Sequence, residues 1–313
     1  MAELPLLRRF PALRQLPRAA LGTFPTPVER VVIAGHELLV KRDDRTGRWV
    51  GGNKVRGLEW LLGDVQPGDR VLTVGPSGST HALATAVCAR ELGACTTVIR
   101  WNQEMNPAAR SVDARLRSAT RIIDAQVVPA AYLLAGILRA RHSRWIPAGG
   151  ASPAALLGHV NAALELVEQV ERGECEMPER VVVPLGTGGT SAGLTLGFKI
   201  AQVPVHVVAV RVVPRLVGRI GRVIRLGRKT ATLIESFAHE SVPRVEKDDV
   251  TVDDNFYAGA YGRALASKVD ETSIIAAGIR LDDTYSRKAF AAALAQNRRT
   301  LFWLTFDGRL LQD

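Results

Sequence analysis

Residues 180–193 read RVVVPLGTGGTSAG, a short apolar run that breaks into three glycines within the five positions Gly186, Thr187, Gly188, Gly189 and Thr190. The β-branched run Arg180 to Leu185 predicts a buried strand. The residues after Thr190 predict a helix reaching Ile200. A glycine-rich turn in that position lets the main chain approach an anion closely, and the free N–H groups of the first helical turn point at it. Thr190 or Ser191 adds a hydroxyl. The segment therefore reads as a phosphate cradle. Its G-x-G-G-x-x-x-G spacing departs from the dinucleotide fingerprint, and the following strand, VHVVAVRVV, ends without an acidic residue for a ribose. There is no G-K-[ST] of a nucleoside-triphosphate loop. A small phosphate monoester remains, belonging to a substrate or a cofactor.

Outward from this turn the chain alternates strand and helix. A hairpin is expected over 31–42 with its turn near Gly35, and a helix over 56–62. Strands are expected at 70–74, 95–100, 119–123, 144–146 and 205–213, with helices at 80–92, 130–141 and 153–171. Near-continuous apolar strands in this alternation predict parallel sheets flanked by helices on both faces. Two such blocks joined around 145–160 predict two α/β domains with a cleft between them. Three prolines (Pro5, Pro11, Pro17) and Glu3 make the arginine-rich start a structured lead-in rather than a targeting helix.

Composition excludes several classes. With 47% hydrophobic and 23% charged residues, the 313-residue chain is globular. No apolar run reaches the ~18 residues that span a bilayer. Three cysteines (Cys88, Cys95, Cys175) suit free, mostly buried thiols in a reducing compartment, which predicts a cytoplasmic protein. The six histidines show no metal-ligand spacing. The net charge of +10 is mostly arginine, densest at 211–229, while aromatics are only 5%. That combination favours a solvated basic helix face over a nucleic-acid partner.

Two further turns carry polar chemistry. Gly51-Gly52-Asn53-Lys54 places a lysine after two glycines in a chain with seven lysines. Such a lysine suits Schiff-base chemistry in a cleft, although alone the pattern more often describes a solvated side chain. Residues 75–81, GPSGSTH, lie between a predicted strand and a predicted helix. Their hydroxyls and open N–H groups can hold a carboxylate. The hydrolase elbow G-x-S-x-G is not met there, because position 79 is serine.

In order along the chain, these turns resemble the pyridoxal-phosphate enzymes of fold type II (tryptophan-synthase-β-like), and within them the family of D-cysteine desulfhydrase and 1-aminocyclopropane-1-carboxylate deaminase. The matching segments are LPRAALGTFPTPVERV (16–31), LLVKRDDRTG with GGNKVRGLEWLLGD, IPAGGASPAALLGHVNAALEL (146–166), VVVPLGTGGTSAGL, AYGRA (260–264) and IRLDDTYSRKAF (279–290). The resemblance implies pyridoxal 5'-phosphate as cofactor. It further implies a large domain from 1–56 and 158–313, a small domain from 57–157, and a homodimer. Lys54 matches the lysine that bonds the cofactor and moves the Cα proton, with Asn53 beside it. Gly186, Thr187, Gly188, Gly189 and Thr190 match the phosphate loop. Ser79, Thr80 and His81 match the turn that holds the substrate carboxylate, Thr80 also touching the cofactor. Tyr261 and Tyr285 match two active-site tyrosines, and Ser286 the residue facing the pyridine nitrogen.

A hydroxyl at 286, where the deaminases carry Glu, implies milder carbanion stabilisation. That suits β-elimination from a small amino acid, giving a keto acid and ammonia. Ring-opening deamination, racemisation, β-replacement, and cofactor binding without catalysis are the alternatives. The chain departs from the family at Thr80 (Asn), Leu83 (Arg) and Gly57 (Lys). Its final residues, TLFWLTFDGRLLQD, replace a His-Thr-Gly-Gly segment, which predicts a site lacking that wall.

Overall fold

The computed structural model describes residues 3–259, 262–265 and 271–311. Pro5–Arg9 (α1) opens the chain and lays Leu6 and Phe10 into a core with Leu157 and Ile234, so the lead-in is structured. Val28–Ile33 (β1) and His36–Lys41 (β2) form the expected hairpin. Its two turn residues, Ala34 and Gly35, both have positive φ, the geometry that matches strand twist in two-residue loops. Lys54–Leu61 (α2) follows, two residues ahead of the expected start.

The next block runs Arg70–Pro76 (β3), Thr80–Glu91 (α3), Cys95–Trp101 (β4), Pro107–Ala119 (α4), Arg121–Asp124 (β5), Val128–Leu138 (α5) and Arg144–Ile146 (β6). The third block begins with Pro153–Glu171 (α6), Arg180–Leu185 (β7), Gly189–Ile200 (α7) and His206–Arg211 (β8). It continues through Ile220–Ala238 (α8), Val250–Asp253 (β9), Glu271–Ala276 (α9), Ser286–Leu294 (α10) and Thr300–Trp303 (β10).

The strands form two sheets. The larger has the order β1-β2-β10-β7-β8-β9, parallel except for the hairpin; the smaller is parallel throughout, β5-β4-β3-β6. Helices cover both faces of the large sheet. Val181, Val183 and Trp303 face Leu166, Phe198 and Val223 on one side, while Val182 and Phe302 face Phe290 on the other. The chain is a two-domain α/β protein. The carboxyl ends of β7, β10 and β3 feed loops toward one cleft, where open parallel sheets present their ligand sites.

Two expectations need correction. Among the cysteines only Cys88 is buried; Cys95 is exposed and Cys175 partly so, although all three are free. The basic stretch is not one helical face. Arg211 ends β8, buried and ion-paired with Asp254, and α8 begins only at Ile220.

Candidate active site

Helices α2 and α6 cross where both carry glycine. A Cβ on Gly158 would stand 2.0 Å from the Arg56 carbonyl oxygen, and one on Gly57 would stand 3.1 Å from that of Ala155. The family's lysine at position 57 is thus replaced by a residue the crossing uses.

Behind the crossing lies a buried ionic cluster. Arg56 donates to Asp43 (2.7 and 2.9 Å) and to Glu165 (2.9 and 3.0 Å), and Lys41 donates to Glu165 at 2.6 Å. Trp303 Nε1 also donates to Asp43, at 2.7 Å. Two cations balance two carboxylates in a dry interior, which makes the desolvation bearable. Burial works to push Glu165 up, but Arg56 and Lys41 hold it down at about 2. Burial lowers Lys41 despite its contact with Glu165.

This cluster fixes the start of α2, and with it Lys54. The turn before Lys54 is held from the other side. Gly51 N–H donates to Asp307 Oδ2 at 2.7 Å, Asn53 N–H donates to the Thr305 carbonyl at 3.2 Å, and Gly52 sits at φ 101° against that same carbonyl. Lys54 itself keeps slight solvent contact and has no carboxylate partner among the described residues. Burial alone brings its amine down to about 8.

Lys54 lines a cleft together with Asn53, Thr80, Tyr285 and the loop Gly186 to Thr190. Gly188 takes φ 87° just before α7. The first bond into that helix is Ala192 N–H to the Gly188 carbonyl at 3.0 Å, so the N–H groups ahead of it have no partner in the helix. Asn53 Nδ2 donates to Thr190 Oγ1 at 2.6 Å, tying the lysine turn to this loop. Ser191 Oγ is fully buried beside it without a hydrogen bond. Open N–H groups, an orphaned hydroxyl and a low-pKa amine in one cleft fit a phosphate ester bearing an aldehyde.

Of the remaining expected residues, Ser79 and His81 stand at the start of α3, beside the Thr80 that lines the cleft. Ser79 caps α3, accepting from Ala82 N–H at 3.2 Å, which leaves its hydroxyl hydrogen free to donate. His81 is buried against Gly150. Burial and the nearby Lys54 amine pull its imidazole down to about 3, with the Pro147 carbonyl opposing weakly from outside hydrogen-bond geometry. Ser286 does not line the cleft. Its hydroxyl donates to Asp282 Oδ1 at 2.5 Å and accepts from Asp282 N–H at 2.8 Å. Tyr261 lies outside the described residues.

Sequence reasoning passed over Thr305 and Phe306, which line the cleft directly after β10. The expected missing wall is therefore present, built from the LTFD segment. The signal was available: like residues 75–81 and 186–190, this segment is where a buried parallel strand runs out into polar residues. Asp282 was passed over as well. Burial raises its carboxyl above the usual range, although Ser286 and the Tyr285 N–H donate to it.

Comparison with known proteins gives the family. The family model for pyridoxal-phosphate dependent enzymes matches residues 19–302. A Pyrococcus abyssi protein whose name proposes 1-aminocyclopropane-1-carboxylate deaminase is 33% identical over 292 residues, covering 89% of this chain and 86% of that protein. A D-cysteine desulfhydrase of Klebsiella pneumoniae is 31% identical over 306 residues, covering 90% and 89%. The crystal structure of an ACC deaminase homologue superposes with a TM-score of 0.79 at 26% identity, over 98% of this chain and 95% of that one. With Lys54, the glycine loop and Tyr285 gathered in one cleft, the chain belongs to the pyridoxal-phosphate dependent enzymes.

Proposed function

We propose that the protein is a lyase that eliminates a β-substituent from a small amino acid, releasing a keto acid and ammonia. The observation that carries this reading is the convergence of Lys54, Thr80, Tyr285 and the loop 186–190 on one cleft. Pyridoxal phosphate, when bound, supplies an electron sink for the pair released at Cα. The chain's own groups do the rest. Gly186 to Thr190 and the start of α7 receive the phosphate, with Asn53 orienting Thr190. The Lys54 amine, near pKa 8, would hold the cofactor's aldehyde carbon and, once the substrate's amine had displaced it, would be free to take the Cα proton. Ser79, Thr80 and the neutral His81 receive the substrate carboxylate at the start of α3. Tyr285 and Tyr261 guide proton movement at the substrate, while Ser286, matched by resemblance to the residue facing the ring nitrogen, keeps its hydroxyl on Asp282 outside the cleft lining. The lack of a glutamate at 286 favours loss of a good β-leaving group over cleavage of a carbon ring.

The division into 1–56 with 158–313 and 57–157 belongs to the same proposal. So does a homodimer: α5 turns Leu133 and Ile137, 68% and 62% exposed, to solvent beside Tyr132, an apolar face that a second copy would cover. No helix among the described residues is long and apolar enough to cross a membrane, and the three free cysteines support a cytoplasmic location.

The deciding experiment pairs wild type with Lys54→Ala, each mixed with pyridoxal phosphate. A visible band that requires Lys54 and is bleached by borohydride is expected. Keto acid should then form from a β-substituted amino acid of one hand. A band that persists in Lys54→Ala rejects the role of Lys54. A band without keto acid from any such substrate of either hand rejects the elimination.

A further inference from the structure

Residues 305–311 run back across the turn that carries Lys54. Asp307 is 3% exposed, and its carboxylate accepts from both sides. Oδ2 takes the Gly51 N–H at 2.7 Å, while Oδ1 takes the Arg309 N–H at 3.0 Å and Nε at 2.9 Å. The same guanidinium reaches on to the turn. Its Nη2 donates to Asp307 Oδ2 and to the Gly47 carbonyl, both at 2.8 Å, and its Nη1 to the Arg48 carbonyl at 2.9 Å. One carboxylate and one guanidinium thus hold three backbone groups between 47 and 51. Glycines at 51 and 52 permit this approach, because side chains there would strike the Asp44 and Thr305 carbonyls. Those glycines bring no side chain of their own to fix the turn. The segment is anchored at its far end as well. Ser111 on α4 donates to the Leu310 carbonyl at 2.6 Å, and Phe306 and Leu310 are buried with Val50, Leu83 and Val112 in the core of the smaller sheet.

We infer that Asp307 and Arg309 are positioning residues: by fixing the turn 47–53 they aim the Lys54 amine, and they do so separately from the capture of the phosphate. This role rests on Lys54 being the group that bonds the cofactor, and needs nothing of the elimination. The phosphate loop is built on β7 and α7, and its tie to the lysine turn is the bond from Asn53 to Thr190. Asn53 is held in turn by the Thr305 carbonyl, a contact that involves neither Asp307 nor Arg309. Loss of the carboxylate would therefore loosen Gly51 and leave the cradle standing. Bond formation is sensitive to such a change, since a displacement of about 1 Å costs about a hundredfold in rate.

The test uses the full chain and two ligands. Saturating pyridoxal phosphate reports bonding to Lys54 through the rate at which its visible band appears. Pyridoxine phosphate, the same ester with a hydroxymethyl group in place of the aldehyde, reports binding alone by calorimetry. Asp307→Ala should slow the band at least about tenfold while the affinity for pyridoxine phosphate stays within about twofold. Asp307→Asn, which keeps an oxygen for the Gly51 N–H, should return the rate to within about threefold of wild type. Arg309→Gln, at a half-exposed side chain, should slow the band about threefold with the same selectivity, and it carries the test if Asp307→Ala lowers the melting temperature. Equal losses for the two ligands would make the segment merely structural and overturn the inference. So would a wild-type rate in Asp307→Ala, or an asparagine variant as slow as the alanine one. If no Lys54-dependent band forms in the wild type, the reading beneath it fails as well; a normal band in every variant sinks this inference alone.

Discussion

Arg56 grips Glu165 by both carboxylate oxygens, Nη1 to Oε2 at 2.9 Å and Nη2 to Oε1 at 3.0 Å, two residues beyond the lysine that α2 presents to the cleft. The pair joins the start of α2 to the middle of α6, with both side chains buried. Removing one partner leaves the other charge buried.

Glu165→Ala should therefore cost about 3–5 kcal/mol in denaturant unfolding, because Lys41 and Arg56 are left to share Asp43. The pair also carries a pH signature. A carboxyl held at about 2, against an ordinary 4.5, stabilises the fold above pH 4.5 and loses that contribution as pH falls toward 2. The full shift corresponds to about 3 kcal/mol. Stability measured from pH 5 to 2.5 should fall more steeply in wild type than in Glu165→Gln. Parallel curves would mean that the carboxyl is not held ionised.

Lys54 carries the opposite sign. Its folded pKa of about 8 lies below the ordinary 10.5, so burying its charge opposes folding at neutral pH, and the fold gains stability as pH rises from 8 to 10.5. In the absence of cofactor, Lys54→Met should stabilise the protein near pH 7 by about 1–3 kcal/mol, the upper figure reduced because the side chain keeps some solvent contact. The rate at which added pyridoxal phosphate forms its visible band should climb with pH and level off above about 8. A rate still climbing steeply past pH 9.5 would point to an ordinary lysine.

At the phosphate loop the informative substitution is Gly188→Ala. With φ at 87°, alanine brings about 1–2 kcal/mol of backbone strain, and its Cβ would stand 3.2 Å from Val223 Cγ2. The strain falls on the turn that aims the open N–H groups of α7. Pyridoxal phosphate affinity, measured by spectral titration, should drop at least about tenfold while the unfolding midpoint moves little. A large stability loss with unchanged affinity would make the turn structural.

Much of this arrangement was legible in the sequence, and what escaped did so for physical reasons. The helix 153–171 and the strand 180–185 stand where their apolar runs and the proline at the helix start put them. Helix α4 was not foreseen, because its inward positions are two alanines, Ala108 and Ala109, the charged Asp113, and only two larger apolar residues, Val112 and Leu116, set among arginines. Its signal was the Asn106-Pro107 start, a capping residue followed by proline. Nothing in the sequence marks Lys41, Asp43, Arg56 and Glu165 as buried, since mutual neutralisation of buried charge belongs to the fold and leaves no local pattern. Asp307 escaped for a related reason: its contact with Gly51 spans 256 residues. Ser286 was assigned by resemblance alone, and no local pattern hints that Asp282 already engages its hydroxyl.

The helix crossing offers the sharpest contrast between two chemically identical changes. Gly158→Ala and Gly57→Ala each gain about 1 kcal/mol of helix propensity. A Cβ at 158 would stand 2.0 Å from the Arg56 carbonyl oxygen, a backbone atom that cannot yield without moving α2. At 57 the contact would be 3.1 Å, a few tenths of an ångström too close to the Ala155 carbonyl. Gly158→Ala should lose at least about 2–3 kcal/mol in urea unfolding, with Gly57→Ala within about 1 kcal/mol of wild type. Because the displaced helix is the one that presents Lys54, Gly158→Ala should also weaken the cofactor band even at temperatures where it remains folded. Equal losses from the two changes would mean that α2 and α6 do not meet as closely as 158 requires.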